Sequence, residues 1–350
     1  MKILYVAVVS NQVSGGTAVM NRNLKLLRNI PGAEVEDVQV VIQSKVKALL
    51  AAFIGGNLTL DRKDENFIIK KIKDEKFNYV FLEGTINGHF AKRLFHEGIE
   101  FITFAHNVET ILYKERLINS RFNPLELIKY YSVKYNEKRT IECCSKLVTL
   151  TKRDGDCFYE KFGRNVDSII PISFKSMENT SPLESEEDVF CLFVGSNFFP
   201  NIEGMNWFIK NGVPHIKIIV KVVGTCCNGL EPAPADLKDR VEYLGLVEDL
   251  EVLYRNASIV IAPIFKGSGM KTKTIEAMSY GKTIIGTDEC FQGIECEYSK
   301  IGALCNTATE FIDAINGYRY DKYNKYTASL FEKKYSDNAV QPAFNSLFAK

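Results

Sequence analysis

The sequence predicts an α/β protein made of two doubly wound domains, and three observations carry that expectation. Short apolar runs alternate with helix-length stretches of mixed character, the pattern of parallel strands buried on both faces. The alternation stops at a polar break over residues 171–188 and then restarts. The 350 residues leave room for about two domains at roughly 150 residues each.

The elements follow in order. Lys2–Val9 reads as a buried strand that runs into Ser10-Asn11-Gln12. It is too short for a signal-peptide core and has no small-residue cleavage site. Residues 17–29 read as a helix opened by Ser14-Gly15-Gly16. Tyr79–Glu83 and Phe101–Ala105 are short apolar strands separated by a helical stretch at Gly88–His96. Pro124–Cys143 is a long helix rich in Tyr and Lys, followed by a strand at 146–150, a helix at 153–162 and a strand at 166–170. In the break, Pro182 and the acidic run Glu184, Glu186, Glu187 and Asp188 mark a linker. Beyond it, 189–194, 216–223, 241–244, Ile259–Ala262 and Thr283–Gly286 read as strands. Residues 203–211, Leu250–Asn256, 271–280, 309–317 and 336–350 read as helices. The expected division is 1–172, 173–335 and a terminal helix at 336–350. Ligands of doubly wound sheets bind beyond the carboxyl ends of the strands, so two such domains facing each other would enclose a cleft.

Composition excludes several classes. Hydrophobic residues at 46% and charged residues at 25% rule out a disordered or collagen-like chain. The most apolar stretches, 48–54 and 216–223, are too short to span a bilayer or are broken by Lys. The nine cysteines are an odd number with no C-x-x-C, and without an export signal they indicate a reduced, cytoplasmic setting. His89, His96, His106 and His215 are scattered and form no zinc-ligand spacing with cysteine. The net charge of +1 divides into +6 over residues 1–180 and −5 over 181–350. That is not the profile of a nucleic-acid binder. The mildly basic first part fits an anionic membrane surface or acceptor as well as it fits chance.

The strongest chemical signal is the stretch from Pro263 to Met278, where a strand ends, the loop Gly267-Ser268-Gly269-Met270 follows, and a helix begins. Glycines let the backbone approach a ligand closely. The amides and dipole of a helix start favour an anion, typically phosphate. Lys271 and Lys273 add full positive charge there. Glu276 shares a helix face with Thr272 and Lys273, and its carboxylate can accept two sugar hydroxyls. The combination suits a sugar nucleotide. On its own, the loop also fits a glycine-rich turn with a surface Lys273–Glu276 pair. Three other motifs are weaker. Ser14-Gly15-Gly16 lacks the G-x-G-x-x-G of a dinucleotide fingerprint, and Gly224-Thr225-Cys226-Cys227-Asn228-Gly229 lacks the Lys-Ser/Thr of a Walker loop. Asp154-Gly155-Asp156 sits at a helix start, where acidic residues are favoured without any metal.

From Glu276 onward, Glu276-Ala277-Met278-Ser279-Tyr280-Gly281-Lys282-Thr283-Ile284-Ile285-Gly286-Thr287 resembles the E-A-M-x-x-G-K-P-V-V-x-T segment of retaining GT-B glycosyltransferases of the family-four type. Phe193-Val194-Gly195-Ser196 stands where that family has F-V-G-R. Gly245-Leu246-Val247-Glu248-Asp249-Leu250 with Tyr254 resembles G-x-V-x-D-L-x-x-x-Y, and Ala105-His106-Asn107-Val108-Glu109 an H-N-x-E segment. The bacterial builders of surface polysaccharides are the most similar members. The resemblance implies a GT-B fold of two Rossmann-like domains facing an interdomain cleft, with the last helix crossing back to the first domain. It implies an acceptor-binding first domain with Gly15, Gly16 and Asn107. It places the donor site in the second domain, on Gly195, Ser196, Gly224, Leu246, Val247, Gly267, Ser268, Gly269, Met270, Lys271, Thr272, Lys273 and Glu276. His106, Glu276 and Lys271 are the implied catalytic residues.

The reaction implied is transfer of a hexosyl group, with retention, from a UDP- or GDP-sugar to a saccharide or lipid-linked acceptor. No cofactor, no metal and no nucleic acid take part. Two departures matter: Ser268 replaces the first Glu of the family's paired glutamates, and Ser196 replaces an Arg, with no Lys in 197–204. Lys271 and Lys273 are expected to stand in for the missing cations. A nucleotide-sugar epimerase on the same fold and a non-catalytic partner subunit stay open as alternatives. A dehydrogenase is disfavoured by the missing fingerprint. The stretch 121–139, with Phe122, Tyr130, Tyr131, Tyr135, Lys129, Lys134, Lys138 and Arg139, can lie on the inner membrane surface. It can equally be a solvated helix whose aromatics fill the core.

Overall fold

The computed structural model describes residues 1–9, 15–53, 56–177, 189–319 and 321–349. Most of the expected linker, 178–188, lies outside the described residues, as does Ser14. The chain divides into two compact units, one formed by residues 1–171 with 341–350 and the other by 172–340.

Unit 1 contains β1 (Lys2–Val9), α1 (Gly15–Arg28), β2 (Glu34–Val41), α2 (Lys45–Phe53), α3 (Arg62–Glu75), β3 (Tyr79–Glu83), α4 (Gly88–His96), β4 (Phe101–Ala105), α5 (Glu109–Asn119), α6 (Pro124–Cys143), β5 (Lys146–Thr149), α7 (Lys152–Phe162) and β6 (Ser168–Ile169). Its strands form one parallel sheet in the order β2-β1-β3-β4-β5-β6. The order reverses at β1, which opens the crevice of a doubly wound sheet beyond the carboxyl ends of β1 and β3. Leu4, Val6, Leu82, Phe90, Phe101 and Leu147 are among the residues of the core beside this sheet.

Unit 2 contains β7 (Phe190–Val194), α8 (Phe199–Asn211), β8 (Ile219–Val223), β9 (Val241–Gly245), α9 (Leu250–Asn256), β10 (Ile259–Ala262), α10 (Thr272–Ser279), β11 (Thr283–Gly286), α11 (Tyr298–Ile301), β12 (Gly302–Leu304), α12 (Ala308–Gly317), α13 (Lys325–Lys334) and the start of α14 (Asp337–Ser346). The sheet is again parallel, in the order β12-β11-β10-β7-β8-β9. Here the reversal falls at β7, so the crevice lies beyond β7 and β10.

Burial explains which elements the pattern revealed. Every residue of β4, β10 and β11 is buried; β10 is wholly apolar, and β4 and β11 carry one Thr each in an otherwise apolar run. β2, by contrast, has no buried residue and carries Glu34, Glu36 and Asp37. It has no apolar run, and the sequence reading did not find it. The helix expected at 271–280 starts one residue later, with Lys271 as its N-cap residue. Asp154 is used as a helix-start residue, exchanging hydrogen bonds with Thr151 (Thr151 Oγ1 to Asp154 Oδ2, 2.6 Å). Asp156 pairs with Lys152 at 2.8 Å. Among the described residues, no helix is long and apolar enough to cross a membrane.

Candidate active site

In unit 2 the donor candidates converge because three successive strand ends are bonded together. The amide of Gly195, just past β7, donates to the Val223 carbonyl at the end of β8 (2.9 Å), and Gly224 N donates to Gly245 O at the end of β9 (2.7 Å). Gly224 must be glycine. Its φ is +104°, and a Cβ there would sit 2.2 Å from the Gly195 carbonyl oxygen. Past Gly245, Leu246 leaves 78% of its surface open, an apolar platform at the strand end. The fourth wall is the loop between β10 and α10, where Gly267 and Gly269 have φ of +133° and +68°. Met270 turns inward, and its sulfur accepts the Ile172 amide at 3.4 Å.

The charged residues of α10 are individually tethered. Lys271 Nζ donates to the carbonyls of Ser268 (3.3 Å) and Gly269 (2.9 Å) and pairs with Glu289 at 2.6 Å. The cation therefore braces its own loop, and Glu289 balances its charge. Lys273 reaches the other way. Its Nζ donates to Asn201 Oδ1 at 2.6 Å and lies 4.1 Å from the centre of the Phe193 ring. Asn201 Nδ2 in turn donates to the Ser196 carbonyl at 2.9 Å. Burial pulls the Lys273 ammonium down to about 7. Lys273 thus supplies positive charge beside Ser196, at the end of β7. Glu276 accepts a hydrogen bond from the wholly buried Tyr254 hydroxyl at 3.0 Å, and desolvation raises its pKa. Tyr254 is fixed by stacking on Tyr280 at 4.8 Å.

In unit 1, Gly15 and Gly16 open α1. His106 follows β4, and its Nε2 lies 2.5 Å from Oε2 of Glu83, a carboxylate almost wholly buried at the end of β3. Asn23 Nδ2 holds the other Glu83 oxygen at 2.8 Å. This is a histidine oriented by a carboxylate that is itself oriented by an amide. Asn107 donates to Glu109 at 3.3 Å. Burial and the neighbouring Glu137 carboxylate push Glu109 up to about 7. Glu137 accepts the amides of Glu109 and Thr110, both at 2.8 Å, and so fixes the start of α5.

Asn201, Glu289, Glu83 and Glu137 were not singled out in the sequence. Glu83 carries a readable sign, since it is a carboxylate closing an apolar run at a carboxyl end. Asn201 carries a fainter one, just after Pro200 at a helix start. Glu289 and Glu137 carry none. Among the described residues, no group of three or more His, Cys, Asp or Glu side chains is placed to hold a metal ion.

Two parallel six-stranded sheets flanked by helices, each with its candidate residues at the strand carboxyl ends, define the GT-B architecture of glycosyltransferases. Residues 189–318 match the family described as "Glycosyl transferases group 1". It is 24% identical over 308 residues to an uncharacterized 44.6 kDa protein in the cps region of Klebsiella pneumoniae, covering 80% of this chain and 76% of that one. Sucrose-phosphate synthase from Thermosynechococcus elongatus has a similar structure, with a TM-score of 0.73 at 14% identity over 99% of this chain and 98% of that one. So does Anabaena HepE in complex with UDP-glucose, with a TM-score of 0.67 at 12% identity over 99% of each chain.

Proposed function

We propose that the chain transfers a hexosyl group from a UDP- or GDP-sugar to a saccharide or lipid-linked acceptor in the synthesis of a surface polysaccharide, with retention and without a metal ion. The observation that carries this reading is the junction of loops in unit 2, where Lys273, Asn201 and Ser196 are linked across the sheet's reversal point. A doubly wound sheet binds its ligand at that point. The α10 start and Lys273 hold the diphosphate, Lys271 braces the loop around it, and Glu276 takes sugar hydroxyls. Leu246 and Val247 lie under the base. Unit 1 is the acceptor-binding unit in this reading, through Gly15, Gly16 and Asn107, with His106 as its candidate catalytic residue. The relative in a cps region supports a surface-polysaccharide product, and HepE, solved with UDP-glucose, supports a UDP-sugar donor.

The chemistry asks for no protein nucleophile. The leaving diphosphate accepts the proton of the attacking hydroxyl, and the protein positions the partners and stabilises the growing negative charge. Loss of one cationic contact would cost about 2–4 kcal/mol of barrier. The protein works in the cytoplasm at the membrane's inner face. The exposure of Phe122, Tyr131 and Tyr135 around α6 supports that placement.

The test is calorimetry and thermal shift with a panel of nucleotide sugars, with and without chelator. One donor should stabilise the protein equally in both conditions. Lys273→Ala should weaken binding, Lys271→Ala should weaken it through a loosened loop, and Glu276→Ala should cut turnover. Binding of no nucleotide sugar would refute the reading. Conversion of a donor to its epimer in the absence of acceptor would replace it with an epimerase.

A further inference from the structure

A neutral imidazole carries one N–H and one bare nitrogen, and a carboxylate can only accept. With Nε2 of His106 2.5 Å from Oε2 of Glu83, the hydrogen-bond network assigns the proton to Nε2. The lone pair is then left on Nδ1.

The surroundings hold this arrangement in place. The Glu83 side chain is 1% exposed, so no bulk water competes for its oxygens. Asn23, wholly buried, gives its Nδ2 to the other Glu83 oxygen at 2.8 Å, which keeps the carboxylate from turning away. The Phe104 ring meets the imidazole edge-on at 5.9 Å and 69°, which fixes the ring plane. His89 provides the contrast. Its Nδ1 pairs with the buried Glu65 at 2.8 Å, and its Nε2 lies 3.2 Å from a guanidinium nitrogen of Arg62. Both edges of that ring are spent inside the protein. The His106 ring spends one: among the described residues, Glu83 is the hydrogen-bonding partner of its imidazole.

We propose that Glu83 is a positioning residue that commits Nε2 of His106 as a donor and so presents Nδ1 as a hydrogen-bond acceptor for a sugar hydroxyl beyond the carboxyl end of β4. The ligand rests on the glycosyl-transfer reading above, whereas the tautomer rests on Glu83, His106 and Asn23 alone. A carboxylate that sets a histidine tautomer can decide whether the histidine works at all. A bare nitrogen at this point takes a group with a hydrogen to give and rejects one without.

The full chain, isotope-labelled on its histidine nitrogens, would be studied by NMR at about pH 8, above the usual histidine range. The four histidines make assignment simple, since the His106→Asn spectrum lacks one set of signals. His106 should show a protonated Nε2 and a bare Nδ1. A proton on Nδ1, alone or together with one on Nε2, overturns the proposal, and this readout needs no substrate and no variant at position 83. In Glu83→Gln, Asn23 still needs an acceptor, so the new amide nitrogen faces His106 and the proton should move to Nδ1. Turnover of the nucleotide sugar selected by the panel above should fall about tenfold or more at an unchanged melting temperature. The double variant Asn23→Asp, Glu83→Gln moves the carboxylate to position 23 and turns the position-83 oxygen back towards Nε2. It should recover both the tautomer and most of the turnover. Loss already present when water is the acceptor places the hydroxyl on the donor sugar, and loss confined to transfer to a saccharide places it on the acceptor. Glu83→Gln with the wild-type tautomer, or with a switched tautomer and undiminished turnover, overturns the proposal. If no nucleotide sugar binds the wild type, the glycosyl-transfer reading fails and takes the sugar hydroxyl with it, while the spectrum still decides what Glu83 does to His106.

Discussion

Burial holds the Lys273 ammonium at about 7, and a single amide oxygen and one ring face only partly replace the water it has lost. A bound diphosphate would complete that replacement and restore an ordinary lysine pKa. Below pH 7 the side chain is already charged, so binding needs no proton. Above pH 7 each binding event must take one up. Nucleoside diphosphate affinity should therefore fall as pH rises from 7.5 to 9, approaching about tenfold per unit. Calorimetry in buffers of different ionisation enthalpy would count the proton, and Lys273→Met should flatten the slope. The residues of this arrangement were unequally legible. Lys271, Lys273 and Glu276 lie close together on one loop and one helix, so their spacing alone placed them together. Asn201, which aims Lys273, lies in another helix of unit 2, and only folding joins them. Glu83 and His106 sit on adjacent strands, and nothing in either segment names the other.

At the scale of the element, Lys282 shows how a residue of a familiar segment can serve architecture. It is fully buried at the start of β11, and burial brings its pKa down to about 7. Its Nζ donates to Arg255 O (2.8 Å) and Ala257 O (3.1 Å) at the end of α9, and to the carbonyl of Lys322. One side chain thus closes a helix terminus and pins a distant turn. Lys282→Met keeps the volume and removes the donors. It should cost about 1–3 kcal/mol for each carbonyl left without a partner. Urea denaturation would register this as a lower midpoint with an unchanged slope. Legibility of the elements followed burial only in part, since α3 buries Ile68, Ile69 and Ile72 among many charged residues and was not among the expected elements. Strands buried on both faces announce themselves by composition, whereas β2 mixes valines with acidic residues and β12 has three residues. α2 escaped because its apolar residues have no core to face.

In the molecule as a whole, unit 1 is completed by a segment far away in sequence. Phe344, Leu347 and Phe348 are buried, and Phe344 stacks over Phe81 (6.4 Å) and Phe104 (6.1 Å). Gln341 donates to the Leu26 carbonyl at 3.0 Å, and Leu347 O accepts from Lys146 at 2.5 Å. Burying each large apolar side chain contributes roughly 1.5–3 kcal/mol. A chain ending at Val340 should therefore lose several kcal/mol from unit 1 alone. Scanning calorimetry should show one transition move to lower temperature or vanish while the other stays. The two-unit α/β plan was legible because alternation and a polar break are properties of long stretches. The partners of 341–349 were not, since an apolar helix pattern does not say which sheet it will cover.

That closing segment sets an order of events during synthesis. Residues 172–340 emerge from the ribosome between the two parts of unit 1. At ordinary translation speeds this interval lasts roughly 10–30 s. For that time Phe81 and Phe104 belong to a sheet whose covering residues do not yet exist. Unit 2 is contiguous and can finish first, while the earlier-made unit waits with an open aromatic seam that chaperones can recognise.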